Sequence, residues 1–213
     1  MNRAREEMIA GLTADLAPVR SFRLRDGLVL TGVAALLTLA GVALFKGLWM
    51  GAYHGDATPF FWITNGLLLL LGSASTLAVV NMASPQVGSS REAPKWATAM
   101  VGVLPLAAFL SLIPRHDPIG TIVDPVSYHC MLDSLAASAL VAIALVLWLR
   151  RGAPVSHNAA GWHTGLAAGA LGTVAYGLCC ALDTMTHLGI WHILPIAIAA
   201  VVGRMVVPRL IKW

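Results

Sequence analysis

The sequence predicts an all-α fold: a polytopic membrane bundle of six transmembrane helices with both termini in the cytoplasm. Three observations carry that expectation. Apolar residues make up 58% of the 213-residue chain and charged residues 11%, whereas an ordinary soluble domain is about 25% charged. The apolar residues fall in runs long enough, at about 1.5 Å per residue, to cross a hydrocarbon core about 30 Å thick. Once these runs are joined in order, 12 of the 14 Lys and Arg residues lie on one side.

Residues 1–26 form a cytoplasmic segment ahead of the membrane domain 27–213. Its start, "MNRAREEMIAGLTADL", carries Glu6, Glu7 and Asp15 and lacks a short apolar core with a cleavage site. It does not read as a secretory signal peptide, so the chain is expected to stay in the membrane. At about 100° per residue, Met8, Ile9, Leu12, Leu16 and Val19 share one apolar stripe. Glu6 and Glu7 suit the positive start of a helix, and Pro18 ends it. Such a stripe can lie on a membrane surface or dock into a partner's groove. A surface helix usually carries Lys or Arg along its polar face, whereas this one places acids before its basic residues.

The six predicted crossings are 27–45, 60–82, 97–113, 126–149, 164–182 and 190–207. Backbone polar groups in lipid must be satisfied within the segment, so each run must be helical. Pro105 and Pro195 interrupt the third and sixth, which kinks a transmembrane helix without excluding it. In the fifth, Gly165, Gly169 and Gly172 read as close-packing positions.

Orientation follows from charge. Arg3, Arg5, Arg20, Arg23, Arg25, Arg91, Lys95, Arg150, Arg151, Arg204, Arg209 and Lys212 fall on one side, and Lys46 and Arg115 on the other. Short loops rich in Lys and Arg stay cytoplasmic, which places both termini inside. Trp49, Trp62, Trp96, Trp148, Trp162, Trp191 and Trp213 lie at or near run ends, the depth that amphipathic rings prefer.

"HCMLDSL" from His129 and "YGLCCALDTMTHLGIWH" from Tyr176 hold all three cysteines and three of the seven histidines. With this topology Cys130, Cys179 and Cys180 sit near the outer face at similar depth, among His129, His187, His192, Asp133 and Asp183. Three uses are open. Cys130 could pair with Cys179 or Cys180 in an oxidising compartment. Thiolate, imidazole and carboxylate together suit a soft or borderline divalent metal ion, with His129, Asp183, His187 and His192 as candidate ligands. A cysteine in such a helix can also be a small apolar packing residue.

Other chemistry is missing from the sequence. It contains no CxxC pair, no phosphate-binding glycine loop and no HExxH motif. Basic residues and carboxylates expected in mid-membrane of a proton-coupled transporter are missing as well. The expectation is a non-enzyme with no direct nucleic-acid contact. A metal-cation transporter using the same Cys/His cluster is the alternative, and a quinone-carrying redox enzyme a more distant one.

"IAGLTADLAPVRSF", the "HC" of the fourth run, "LRRGAPV", "CALDTMTHLGIWH" and the closing "VGRMVVPRLIKW" together resemble the NrsF-like negative regulators of sigma factors. The similarity spans nearly the whole chain. It implies a six-crossing protein of the bacterial inner membrane that holds an extracytoplasmic-function sigma factor and releases it under heavy-metal or oxidative stress. The resemblance places the family's paired cysteines at Cys130 and Cys180, the latter because it opens the C-x-x-D pattern ending at Asp183; Cys179 is extra to the pattern. The His-x-x-x-Cys-x-x-Cys zinc motif of soluble anti-sigma domains is missing. Sigma binding is therefore expected on the N-terminal stripe and the cytoplasmic loops.

Overall fold

The computed structural model describes residues 3–14, 23–85, 93–113 and 125–212. Leu16, Pro18, Val19, Arg20, Arg91, Arg115 and Trp213, all named above, lie outside the described residues. All regular elements within them are helices: α1 (Arg3–Ala14), α2 (Leu24–Lys46), α3 (Met50–His54), α4 (Pro59–Met82), α5 (Ala93–Val101), α6 (Val103–Leu112), α7 (Pro125–Leu149), α8 (His157–Gly177), α9 (Met185–Trp191) and α10 (Leu194–Leu210).

Among the described residues, five helical stretches are long and apolar enough to cross a membrane: Leu24–Lys46, Pro59–Met82, Ala93–Leu112, Val126–Leu149 and Met185–Leu210. The fifth predicted run is the one that differs. It falls on α8, which begins before residue 164 and stops at Gly177 rather than at 182. Helix α8 is the hub of the bundle, packed against α10, α7, α4 and α2. Its buried faces are built from Gly, Ala and Thr, with Leu166 the one large apolar side chain among them. Hydropathy rewards bulky side chains, whereas a helix enclosed by neighbours is selected for small ones that let backbones approach.

The close approach is concrete. A Cβ on Gly161 would lie 2.5 Å from the Gly203 carbonyl oxygen, and one on Gly203 would lie 2.5 Å from that of Gly161. On another face, a Cβ on Gly172 would stand 2.5 Å from the backbone nitrogen of Ser138 in α7. Gly165 and Gly169 meet Ala199 of α10 in the same way.

The third predicted run is split into α5 and α6 at Gly102. Pro105 has no N–H to give the Val101 carbonyl, so the ladder is interrupted where the sequence places the proline. Pro195 sits in the first turn of α10, a position where the missing N–H costs nothing.

Contacts between helix ends fix how the chain alternates. At one end, Lys46 Nζ lies 2.8 Å from Asp133 Oδ2, the Trp49 N–H donates to the Leu178 carbonyl at 3.0 Å, and the Ser111 and Thr186 hydroxyls are 3.2 Å apart. At the other, the Ala153 N–H donates to the Ala83 carbonyl at 2.9 Å and the Trp148 Nε1–H to the Val80 carbonyl at 3.2 Å. Arg23, Arg150, Arg151 and Lys212 flank helices at this second end, Arg25 and Arg209 lie in terminal turns there, and Lys46 lies at the first end. Val80, Leu145, Leu149 and Ile211 build the core near the second end, and Ala52, Phe61 and Leu188 a smaller one near the first.

Helix α1 buries none of its residues. Met8, Ile9 and Leu12 are 61%, 49% and 68% exposed, so the apolar stripe read from the sequence is an uncovered surface over its described part.

Candidate functional site

The first end of the bundle holds the cysteines. Helix α7 opens at Pro125, and its inward stripe begins with Ser127, Cys130 and Ser134, spaced three and four apart. Helix α8 ends at Gly177, and the Cys179 and Cys180 N–H groups turn back to the Tyr176 and Gly177 carbonyls at 2.8 and 3.2 Å. The turn carries Cys180 inward. Thr184 then caps α9, its hydroxyl accepting from the His187 N–H at 3.3 Å, which sets His187 in the first turn with its ring toward α7.

The result is a compact cluster. Cys130 Sγ and Cys180 Sγ lie 3.8 Å apart, and Cys180 Sγ lies 3.5 Å from His187 Nε2. The three donor atoms all lie within 4.8 Å of one another. The other ring nitrogen of His187, Nδ1, is 2.9 Å from the Ser127 hydroxyl, and the Tyr176 hydroxyl donates to Cys130 Sγ at 3.6 Å. Cys130, Cys180 and His187 are each 5% exposed or less. All three cysteines are free thiols.

In the turn between helices, the hydrogen bond to Cys130 and then burial push the Cys180 thiol above its ordinary range. Burial alone raises Cys179.

The remaining expected site residues are placed differently. Cys179 is half-buried and points back to the Ala175 carbonyl at 3.9 Å, outside the cluster. His129 is exposed, with its ring against Tyr128 at 6.2 Å between centroids. It follows Ser127 by two residues and so points off the inward stripe. Asp183 does not reach the sulfurs; its carboxylate accepts from the Thr58 N–H at 2.8 Å. His192 is fully buried beside His187, ring centroids 5.3 Å apart, with no hydrogen-bond partner on either ring nitrogen. Asp133 is engaged by Lys46.

Ser127 and Tyr176 were not singled out from the sequence. Ser127 precedes Cys130 by one helical turn, which was the available signal.

Chemically, two thiols and an imidazole in contact can be oxidised to a disulfide, alkylated, or used to ligate a soft cation. Bilayer-length apolar helices with a buried thiol–imidazole group at one end place the described residues in the class of polytopic helical membrane proteins.

The chain belongs to the family described as NrsF, negative regulator of sigma F, which it matches over residues 12–213. It is 30% identical over 211 residues to the anti-sigma-F factor NrsF of Caulobacter vibrioides, covering 96% of this chain and 94% of that protein. It is 25% identical over 158 residues to the probable anti-sigma-F factor NrsF of Azospira oryzae, 73% of each chain. No solved structure matches it. The family anticipated from the sequence motifs is the one found, and it is a family of regulators rather than enzymes.

Proposed function

We propose that this protein is an anti-sigma factor of the bacterial inner membrane that holds an extracytoplasmic-function sigma factor and releases it when Cys130 and Cys180 respond to heavy-metal or oxidative stress. The observation that carries the reading is the joint one of family membership and a thiol pair 3.8 Å apart inside the bundle. Six crossings fit the alternation of helix ends. The basic residues at the end opposite the cysteines favour that end as cytoplasmic, with the thiols toward the periplasm.

On this reading Met8, Ile9 and Leu12 supply the described part of the sigma-docking stripe, and Leu16 and Val19 would extend it. Helix-in-groove recognition uses anchors at this spacing. A hundredfold change in sigma affinity requires the two bundle arrangements to differ by about 3 kcal/mol in their preference for the modified thiols. Disulfide formation or metal ligation at two buried thiols can supply energies of that order.

The test is co-purification in detergent combined with a stress reporter. The full chain should retain a sigma factor, and a variant lacking residues 1–20 should lose it. Replacing Cys130 and Cys180 together with Ser should leave sigma bound and abolish induction. Unaltered induction in that double variant would remove the sensing role.

A further inference from the structure

The distances within the cluster match a coordination shell. Around a tetrahedral ion with metal–sulfur bonds of about 2.3 Å and metal–nitrogen bonds of about 2.05 Å, two sulfurs are separated by about 3.8 Å and a sulfur and a nitrogen by about 3.6 Å. The free protein has 3.8 Å for Cys130–Cys180 and 3.5 Å for Cys180–His187. Two edges of a tetrahedral coordination shell are thus already set without an ion.

We propose that Cys130, Cys180 and His187 form a three-donor site for one thiophilic divalent cation of the zinc or cadmium kind, with Ser127 as the positioning residue that holds the imidazole. This deepens the sensing reading above by naming the ligand class, and depends on it only for its regulatory meaning. Charge supports the assignment. A divalent ion is costly to bury unless its charge is compensated, and two thiolates neutralise it. Binding displaces two thiol protons: one M²⁺ enters, two metal–sulfur bonds form and two H⁺ leave, with no change of oxidation state. The neutral His187 gives its Nε2 lone pair, which requires the proton on Nδ1. Ser127 Oγ, 2.9 Å from Nδ1, accepts that proton in a hydrogen bond and selects the tautomer, as the outer-shell partners of metal-bound histidines do. The Tyr176 hydroxyl, 3.6 Å from Cys130 Sγ, donates toward the thiolate. Three protein donors leave the fourth corner open, where a ligand from solvent can enter and leave.

The experiment uses purified full-length protein in detergent, reduced and free of sigma factor, titrated with Co²⁺ as spectroscopic probe and then with Cd²⁺ in competition. The expected result is one ion per chain, with sulfur-to-cobalt charge-transfer and the intense d–d bands of a tetrahedral ion. Cd²⁺ should displace Co²⁺ and protect Cys130 and Cys180, but not Cys179, from alkylation. Ser127→Ala should weaken binding about 10- to 100-fold, the range for loss of an outer-shell partner, and His187→Gln by more. Cys179→Ser should leave the spectrum unchanged, and helix content by circular dichroism shows that each variant is folded. Weak octahedral bands, the lack of charge-transfer intensity, or undiminished binding in folded His187→Gln would overturn the site. Failure here with oxidant-driven sigma release intact would leave the sensing reading standing; tight binding without sigma release would do the reverse.

Discussion

The Asp183 carboxylate accepts a hydrogen bond from the Thr58 N–H at 2.8 Å, and the Thr58 hydroxyl donates to the Asp183 carbonyl at 3.2 Å. These two bonds, both donated by Thr58, clamp the turn carrying Cys180 to the start of α4. Asp183 is thereby a structural anchor, three residues from the thiol it steadies. Asp183→Ala should cost about 1.5–3 kcal/mol, the range for a hydrogen bond to a charged group, and Asp183→Asn less. Thermal unfolding in detergent checks the order. Because Asp183 is not among the proposed ligands, cobalt binding should survive Asp183→Asn with its charge-transfer bands intact.

Two glycines of similar appearance should respond in opposite ways. A Cβ on Gly165 runs into the Ala199 carbonyl of α10, whereas Gly32 on α2 has nothing within 4 Å. Gly165→Ala should destabilise by about 1–3 kcal/mol through overpacking. Gly32→Ala should be neutral or stabilise by up to about 1 kcal/mol through reduced backbone freedom. Melting temperatures of the two variants decide the matter.

Alkylation should rank the thiols. Cys130 and Cys180 are 3% and 5% exposed, and Cys179 is half-buried, so Cys179 should label first in the reduced protein. The thiolate is the nucleophile, and burial lifts Cys179 above the ordinary 9.0. Its labelling rate should therefore still be rising as pH passes 9.0. A membrane-impermeant maleimide applied to whole cells or right-side-out vesicles should reach Cys179; labelling only after the cytoplasmic face is opened would reverse the proposed orientation.

The uncovered stripe of α1 makes a separable prediction. Leu12→Glu changes a side chain that is 68% exposed, so the protein's own melting temperature should barely move. Sigma retention should fall by about 1–3 kcal/mol, tenfold or more, if Leu12 is an anchor in the partner's groove. Equal retention of sigma by Leu12→Glu and Met8→Glu would place docking elsewhere.

The long helices were legible because lipid permits little else: an uninterrupted apolar run of this length must be helical. What the runs concealed was α8, whose Gly, Ala and Thr faces look weakly hydrophobic because they are packed by other helices. The residues after Gly177 continue the apolar pattern, so the true end of α8 was hidden, and with it the turn that folds Cys180 back toward His187.

The cluster was partly legible. Cys130, Cys180 and His187 stood out as costly residue types near one end. His129 shared that signal, yet helical phase turns it outward, and Asp183 shared it while serving as an anchor. The signal for Ser127 was its place a helical turn before Cys130, and it becomes informative only when a histidine sixty residues away meets its hydroxyl.

Helix α2 touches the bundle along a narrow tread of Gly27, Thr31, Ala34 and Thr38. Thr31 and Thr38 satisfy their own hydroxyls on the Gly27 and Ala34 carbonyls at 2.9 Å, so neither is committed to a neighbouring helix. The Trp148 ring and the Val80 side chain fill the space where a Gly27 Cβ would stand, so this contact depends on Gly27 staying bare. The far tip of α2 is tethered to α7 by Lys46 and Asp133, one turn from Cys130, while its near tip leads into the chain bearing α1. On the sensing reading proposed above, α2 is the element that joins the thiol end to the chain bearing α1.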